Sequence, residues 1–317
     1  TGLAQLVAEE LECDWAKVTT EYPTPGQNLA RERVWGDFST GGSSGIRRSH
    51  QYVREGAAAA RIMLVEAAAK EWDVPVTECT VTKGVVSLKG TKKTLTYGKL
   101  ASAAAQLAPP LEVTLKDPKD WTIIGQPKLR LDTADKLTGA QIYGSDVKLD
   151  GMLTASIRQS PQIGGKVKSI DAAAVMSMPG VKKVVQVGDD AVAVVADTWW
   201  RANKAVLALP VEWDGGVAFS SAEFETELDD GLTSDDAFTG NKVGDIAPAF
   251  ANAAKVIEAT YNMPFQNHAP MEPMNATAIW TPEKCEVWCP TQNGEAALAA
   301  AADAAGLPIE QCDVYKL

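Results

Sequence analysis

The chain has 317 residues, enough for about two domains of roughly 150 residues that each bury a core. A mini-protein stapled by disulfides or metal is therefore excluded. Asp and Glu number 41 against 30 Lys and Arg, a formal charge of −11 that repels nucleic acid and anionic membrane surfaces, while 45% hydrophobic residues exclude wholesale disorder.

Leu3, Leu6, Val7 and Leu11 recur at the spacing of a helix buried along one side, which turns Glu9, Glu10 and Glu12 toward solvent. The helix ends near Asp14, the β-branched and aromatic run at 18–22 reads as a strand, and residues 23–26 read as a turn. Residues 38–45 are the most polar, glycine-rich loop, and an Ala-rich helix follows over 49–72. A hairpin is predicted at 81–88 and another Ala-rich helix at 97–107. From Lys136 the pattern changes to strand 152–158, helix 170–178, strands 181–187 and 191–196, helix 198–209 and strand 211–213. That β-α-β-β-α-β order makes a small self-sufficient α+β domain. Residues 216–244 crowd Glu223, Glu225, Glu227, Asp229, Asp230, Asp235 and Asp236 into a solvated connector, a cation site being the lesser alternative. A helix at 246–254, strands at 255–261, 276–280 and 285–288, and a helix at 295–305 closed by Gly306 complete the chain.

No apolar run approaches the ~20 residues of a membrane-spanning helix, so membrane insertion is not expected. The chain opens at Thr1 without a charged-then-apolar leader, as expected of a longer protein's segment or of one whose targeting sequence was removed. Cys13, Cys79, Cys285, Cys289 and Cys312 are odd in number and scattered, which argues against a disulfide framework. With His50 and His268 the only histidines, no zinc or iron–sulfur ligand set is evident, and buried structural thiols are the plainer reading.

Three segments carry candidate chemistry. Gly41, Gly42, Ser43, Ser44 and Gly45 precede a helix, where backbone N–H groups favour a phosphate, with Arg47 and Arg48 adding charge; a simple capped helix start is equally consistent. The loop lacks the spacing of a nucleotide P-loop or a dinucleotide fingerprint. His268 and Glu272 lie in a stiff polar segment with Pro270 and Pro273, either as an acid–base pair or as groups that fix the loop. Thr291, Gln292 and Asn293 end a strand before a helix, where they serve a ligand oxygen or a helix cap.

Taken together, these segments resemble the molybdopterin-binding large subunit of the xanthine dehydrogenase/aldehyde oxidase family, most closely the isoquinoline 1-oxidoreductase branch and its beta chain. The resemblance covers nearly the whole chain. It rests on residues 39–45, which are similar to the loop that holds the pterin and its phosphate; on 268–273, similar to the His-to-Glu-Pro loop; and on 290–293, similar to the turn whose glutamine contacts a molybdenum oxo ligand. Asp132, Ser160-Pro161, Pro179-Gly180-Val181 and residues 191–197 resemble the family's hammerhead domain.

The implied fold is α+β, with cofactor-binding segments at 1–131 and 217–317 flanking an α/β hammerhead domain at 132–216. The implied cofactor is molybdopterin with molybdenum, as the cytosine dinucleotide, held by Gly42, Ser43, Ser44 and Gly45, with Gln292 at the oxo group and His268 and Glu272 as loop support. The metal takes no ligand directly from protein side chains. The implied activity is hydroxylation of an N-heterocycle or oxidation of an aldehyde with water as oxygen source. Electrons would leave to a small 2Fe-2S subunit and then to a cytochrome or another acceptor. The Gly/Ser loop precedes the hammerhead, a permuted order like that of the isoquinoline branch. The family's Gly-Gly-Phe-Gly loop and its base glutamate are expected beyond Leu317, so the chain resembles an internal piece without a complete active site. Export to the periplasm is common in that branch and is the slightly favoured location. Two other readings stay open: a non-catalytic scaffold of the same fold, and an unrelated α/β protein that binds a phosphate ligand at the Gly/Ser loop.

Overall fold

The computed structural model describes residues 1–34 and 36–317. Its first helix, α1 (Gly2–Leu11), buries Leu6 and Ala8 as the apolar spacing predicts, yet Glu9 and Glu10 are fully buried as well. The expectation that they face solvent is thus overturned. The cause is the segment 116–124, which covers that side of α1 and supplies donors. Glu9 Oε2 accepts from the N–H groups of Thr122, Ile123 and Ile124 at 2.9, 2.6 and 3.0 Å, and Oε1 pairs with Lys116 Nζ at 2.6 Å.

Beyond the short helix α2 (Pro25–Ala30), the 29-residue α3 (Ser44–Trp72) lies against α1 and supplies the second cation. Arg54 Nη2 meets Glu10 Oε1 at 2.6 Å, donates to Lys116 O at 2.9 Å, and the guanidinium sits 5.3 Å from the Trp121 ring centroid. Arg61 adds a bond from Nε to Glu10 O at 2.6 Å. Charges taken out of water are tolerated only when paired and hydrogen-bonded, and this cluster meets that condition.

The predicted hairpin is present as β1 (Cys79–Thr82) and β2 (Val85–Leu88). Lys83 and Gly84 join them with φ of 50° and 73°, the two positive values that a tight two-residue hairpin turn requires. β3 (Thr94–Thr96) extends this sheet, and α4 (Tyr97–Ala104) packs Leu100 and Ala104 with Val86 against Ala67 and Ala68 of α3. Residues 18–22 form no strand, and the expected turn at 23–26 instead starts α2. Thr24 and Gln27 close a capping box there with Pro25 in the first turn, the geometry that the fixed φ of proline favours. α5 (Thr133–Thr138) follows.

The chain divides into two compact units, one of Thr1–Val147 with Ala269–Leu317, the other of Lys148–His268. The second holds β4 (Thr154–Gln159), β5 (Lys166–Ile170), α6 (Ala173–Met176), β6 (Val181–Val187), β7 (Ala191–Ala196), α7 (Trp199–Ala208) and β8 (Val211–Asp214). β4, β7 and β6 form one antiparallel sheet, and β5 pairs antiparallel with β8. Val192 and Val194 of β7 pack with Val175, Ala205, Val206 and Leu209 to make the core. The helix expected at 170–178 is shorter, because Ile170 belongs to β5 and pairs with Val211. The acidic stretch contains α8 (Ser221–Gly231), an exposed helix opened by a Ser220–Glu223 capping box. α9 (Ala247–Ala251) is shorter than expected, and 255–261 form no strand; an isolated extended run without a partner has no ladder to satisfy its backbone.

Back in the first unit, β9 (Thr277–Trp280), β10 (Cys285–Cys289), α10 (Gly294–Ala305) and β11 (Cys312–Lys316) form a sheet ordered β11-β10-β9. The β10–β11 pair is parallel, with α10 as its crossover, and Gly306 at φ 66° terminates that helix as the sequence predicts. Among the described residues no helix is long and apolar enough to cross a membrane.

Glu10→Leu should cost about 3–5 kcal/mol in urea unfolding, because it leaves the Arg54 charge buried and unpaired. A second expectation concerns acid. Burial pushes the Glu9 carboxyl up, but Lys116 and the N–H groups of Ile123, Ile124 and Thr122 more than offset it, holding it below its ordinary value. Its stabilisation is whole above the unfolded carboxylate pKa of about 4.3 and is lost as pH falls through the lower folded value. Urea midpoints should drop over that range in the unmodified chain and less steeply in Glu9→Gln.

Candidate functional site

The turn at 290–293 that opens α10 gathers backbone from widely separated parts of the first unit. Asn293 caps the helix, its Oδ1 accepting from Ala296 N at 3.0 Å, and Thr291 Oγ1 accepts from Asn293 N at 3.0 Å. Two of the three polar residues of this turn are therefore spent on local structure, as the capping alternative holds. Gln292 is not. Its side chain is exposed, while its carbonyl accepts from Thr40 N at 2.7 Å.

That bond belongs to a short antiparallel alignment. Ser39 bridges Asn293, and Gly294 N donates to Phe38 O at 3.0 Å, so 38–40 run beside 292–294. Two residues later comes the Gly/Ser loop. Gly42 and Ser43 both take left-handed backbone, with φ of 56° and 51°, and Ser44 begins α3 with its hydroxyl donating to Gly41 O at 2.8 Å. Ser43 occupies the cap position, yet its side chain makes no cap hydrogen bond; Ser44 N donates to Gly41 O at 3.1 Å, and the N–H groups that follow in the first turn of this long helix receive no side-chain cap. A Cβ added to Gly41, Gly42 or Gly45 would meet nothing within 4 Å, so the loop faces free space. Arg47 and Arg48 are exposed on the first turns of α3. The Ser39 hydroxyl, with a smaller contribution from Arg48, holds the Asp37 carboxyl below its ordinary value.

The third segment reaches the same turn through a glycine that sequence inspection passes over. Gly144 is buried, and a Cβ there would come within 2.8 Å of Pro290 Cδ and 3.1 Å of Glu272 Oε1, besides striking Asn275 Oδ1. Glu272 Oε1 accepts from Ser145 N at 3.3 Å and from Asn275 Nδ2 at 3.2 Å. Glu272 thus fastens its loop. His268 is exposed and falls in the other unit. Asn28, also unremarked in the sequence, is buried and donates to Gly36 O at 2.7 Å and to Glu295 Oε1 at 3.2 Å, which braces α10 from the side of α2. Short polar segments of this kind carry no periodic signal, so neither residue is legible from sequence alone.

A polar cleft of about 610 Å³ opens beside Glu272, with Tyr22, Arg130, Asp132, Lys136, Tyr143 and Lys316 in its walls. Bonds from Arg130 first, then Lys136, hold Asp132 far below the usual carboxylate range. Neither the 42–45 loop nor Gln292 lines this cleft. Among the described residues, no three His, Cys, Asp or Glu side chains converge as a metal-ligand set.

Residues 230–316 match the molybdopterin cofactor-binding domain family. The chain is 29% identical over 88% of its length to a protein of Gluconacetobacter polyoxogenes named as a membrane-bound aldehyde dehydrogenase (pyrroloquinoline-quinone), covering 37% of that protein. It is 26% identical over 92% of its length to the beta chain of isoquinoline 1-oxidoreductase from Brevundimonas diminuta, covering 43% of it. It is 28% identical over 92% of its length to a nicotinate dehydrogenase subunit of Pseudomonas putida, covering 25% of it. The likeness is thus to molybdopterin-binding proteins, and the family match lies in the C-terminal part of the chain. Within that likeness, the chain is similar to subunits of molybdenum-dependent and related oxidoreductases, and it spans between a quarter and under half of the length of these relatives.

Gly294 is buried at the start of α10, where a Cβ would approach Pro25 Cγ to 2.8 Å. Gly294→Ala should destabilise the unit by about 1–3 kcal/mol through overpacking, although alanine is the better helix former. Thermal unfolding of the two chains side by side measures the difference.

Proposed function

We propose that the chain is the cofactor-holding part of a molybdenum hydroxylase large subunit. In this reading Gly42, Ser43, Ser44 and Gly45 bear on the phosphate end of molybdopterin, as its cytosine dinucleotide, and the Gln292 amide donates to an oxo group on the metal. The observation that carries the reading is the backbone alignment of 38–40 with 292–294, an isolated bridge that holds these two segments, far apart in sequence, side by side in one unit. The residues suit the group chemically. First-turn N–H groups without a side-chain cap, an uncommitted Ser43 hydroxyl and two exposed arginines favour a phosphate, and Gln292 keeps an amide free of local duties.

When bound, the molybdenum–pterin group supplies two-electron oxidation of an electron-poor carbon with water as oxygen source. This chain's part is to bind and orient. The 42–45 loop fixes one end of the group, Glu272 and Gly144 stiffen the turn that presents Gln292, and residues 132–216 form the hammerhead-like domain between the cofactor-binding segments 1–131 and 217–317. The substrate is an N-heterocycle or an aldehyde, the two classes named in the relatives, and electrons pass to a separate 2Fe-2S subunit. Five scattered cysteines support placing the clusters on that partner.

The test is metal and cofactor analysis of the complete subunit purified with its partner. Molybdenum and pterin fluorescence in stoichiometric amounts are expected; a bound quinone without molybdenum, or no cofactor at all, overturns the reading. In the loaded enzyme, Gln292→Ala should lower turnover by about 10–100-fold while molybdenum content holds. Ser43→Trp and Ser44→Trp should instead lower molybdenum occupancy.

A further inference from the structure

Cys285 and Cys312 are register partners on the parallel strands β10 and β11. Both are buried among Leu298, Ala302 and Val314 beneath α10, and Cys285 is near enough to push the Cys312 thiol up. Hydrogen-bonded strands lie about 4.8 Å apart, inside the Cα separation of roughly 4.4–6.8 Å that disulfide bridges accept. Parallel register also sends both side chains to the same face, so the two sulfurs meet without any rearrangement of the backbone order. Cys289 shares this core, but its register partner on β11 is Lys316, so the sheet gives it no thiol opposite.

We propose that Cys285 and Cys312 are a disulfide-forming pair, oxidised by a low-molecular-weight disulfide when the chain folds under oxidising conditions. The step balances: two S–H bonds of the chain and the S–S bond of the small disulfide break, one S–S bond forms between Cys285 and Cys312, and the two electrons and two protons given up pass to the small disulfide, which leaves as two thiols. Burial, first, and the neighbouring Cys285 push the Cys312 thiol up, so thiolate is scarce in the folded chain and exchange belongs to folding. The bridge closes the loop 285–312, which contains the 290–293 turn and all of α10. It therefore pins the turn that presents Gln292 from both ends.

The chain is refolded from denaturant in a glutathione and glutathione-disulfide buffer, its remaining thiols are alkylated under denaturing conditions, and it is cleaved after glutamate. Glu283, Glu286 and Glu310 put the two cysteines in separate peptides, 284–286 and 311–317, whereas no Lys or Arg lies between them for trypsin to use. Three of the five cysteines should be alkylated, with 284–286 joined to 311–317 until reduction. Cys289→Ser should keep that link, and Cys312→Ser should lose it. Oxidation should also raise the thermal midpoint of the unmodified chain but not of Cys312→Ser. Five alkylated cysteines in every oxidised sample, or a bridge through Cys289, would overturn the assignment.

Discussion

Two full negative charges on adjacent residues of one helix, taken wholly out of water, set the terms for the larger unit. Glu9 and Glu10 share Lys116, whose Nζ meets Glu9 and whose N–H donates to Glu10, and between them they bind α1 to α3 through Arg54 and to the 116–124 segment through Lys116 and the N–H groups of Thr122, Ile123 and Ile124. An apolar core tolerates sliding along a helix face, but a hydrogen-bonded ion pair does not. Arg54 lies ten positions after Ser44 on the same rigid helix, so the ion cluster also fixes where the start of α3 stands. The Gly/Ser loop inherits that position.

The other half of the candidate site reaches its place by a different route. α10 and the turn before it are held by Asn28 against Glu295, by Pro25 against Gly294, and by Gly144 against Pro290. None of these contacts is chemical machinery, and each is specific to a residue size or a donor. What results is a turn with its polar groups already committed, except one. The uncommitted status of Gln292 gives the assignment more weight than its place in a polar motif does, because Thr291 and Asn293 show what the same motif does when it serves only the helix.

The elements that are readable in the sequence are those whose own residues settle the matter. Lys83-Gly84 between two β-branched runs is a hairpin in any context, and Gly306 before Pro308 ends a helix by local backbone preference. The alternating run 191–196 and the Ala-rich 294–305 likewise declare themselves. The failures are tertiary. Glu9 and Glu10 read as a solvated stripe because nothing in their neighbourhood announces that Lys116 and residues 122–124 will cover them. β5 is hidden because Lys166, Lys168 and Ser169 dilute its pattern, and 18–22 and 255–261 have strand composition without a strand to pair with. The three site segments are visible as polar interruptions, but the wedge of Gly144 that joins two of them is not, since a single glycine has no spacing to betray it.

Ser145 N lies 3.3 Å from Glu272 Oε1, so the larger unit comes together across a break in its own sequence filled by 148–268. During synthesis, α10 and the 290–293 turn emerge only after that whole insertion has left the ribosome. The inserted unit can reach its native state first, while the earlier part waits with its last sheet missing. The cost of closing so long a loop grows only with the logarithm of its length, and it falls steeply if the insertion has already folded and drawn its ends together. Assembly of the cradle for Gln292 is thereby placed after the inserted unit, with residues 1–147 already synthesised to receive it.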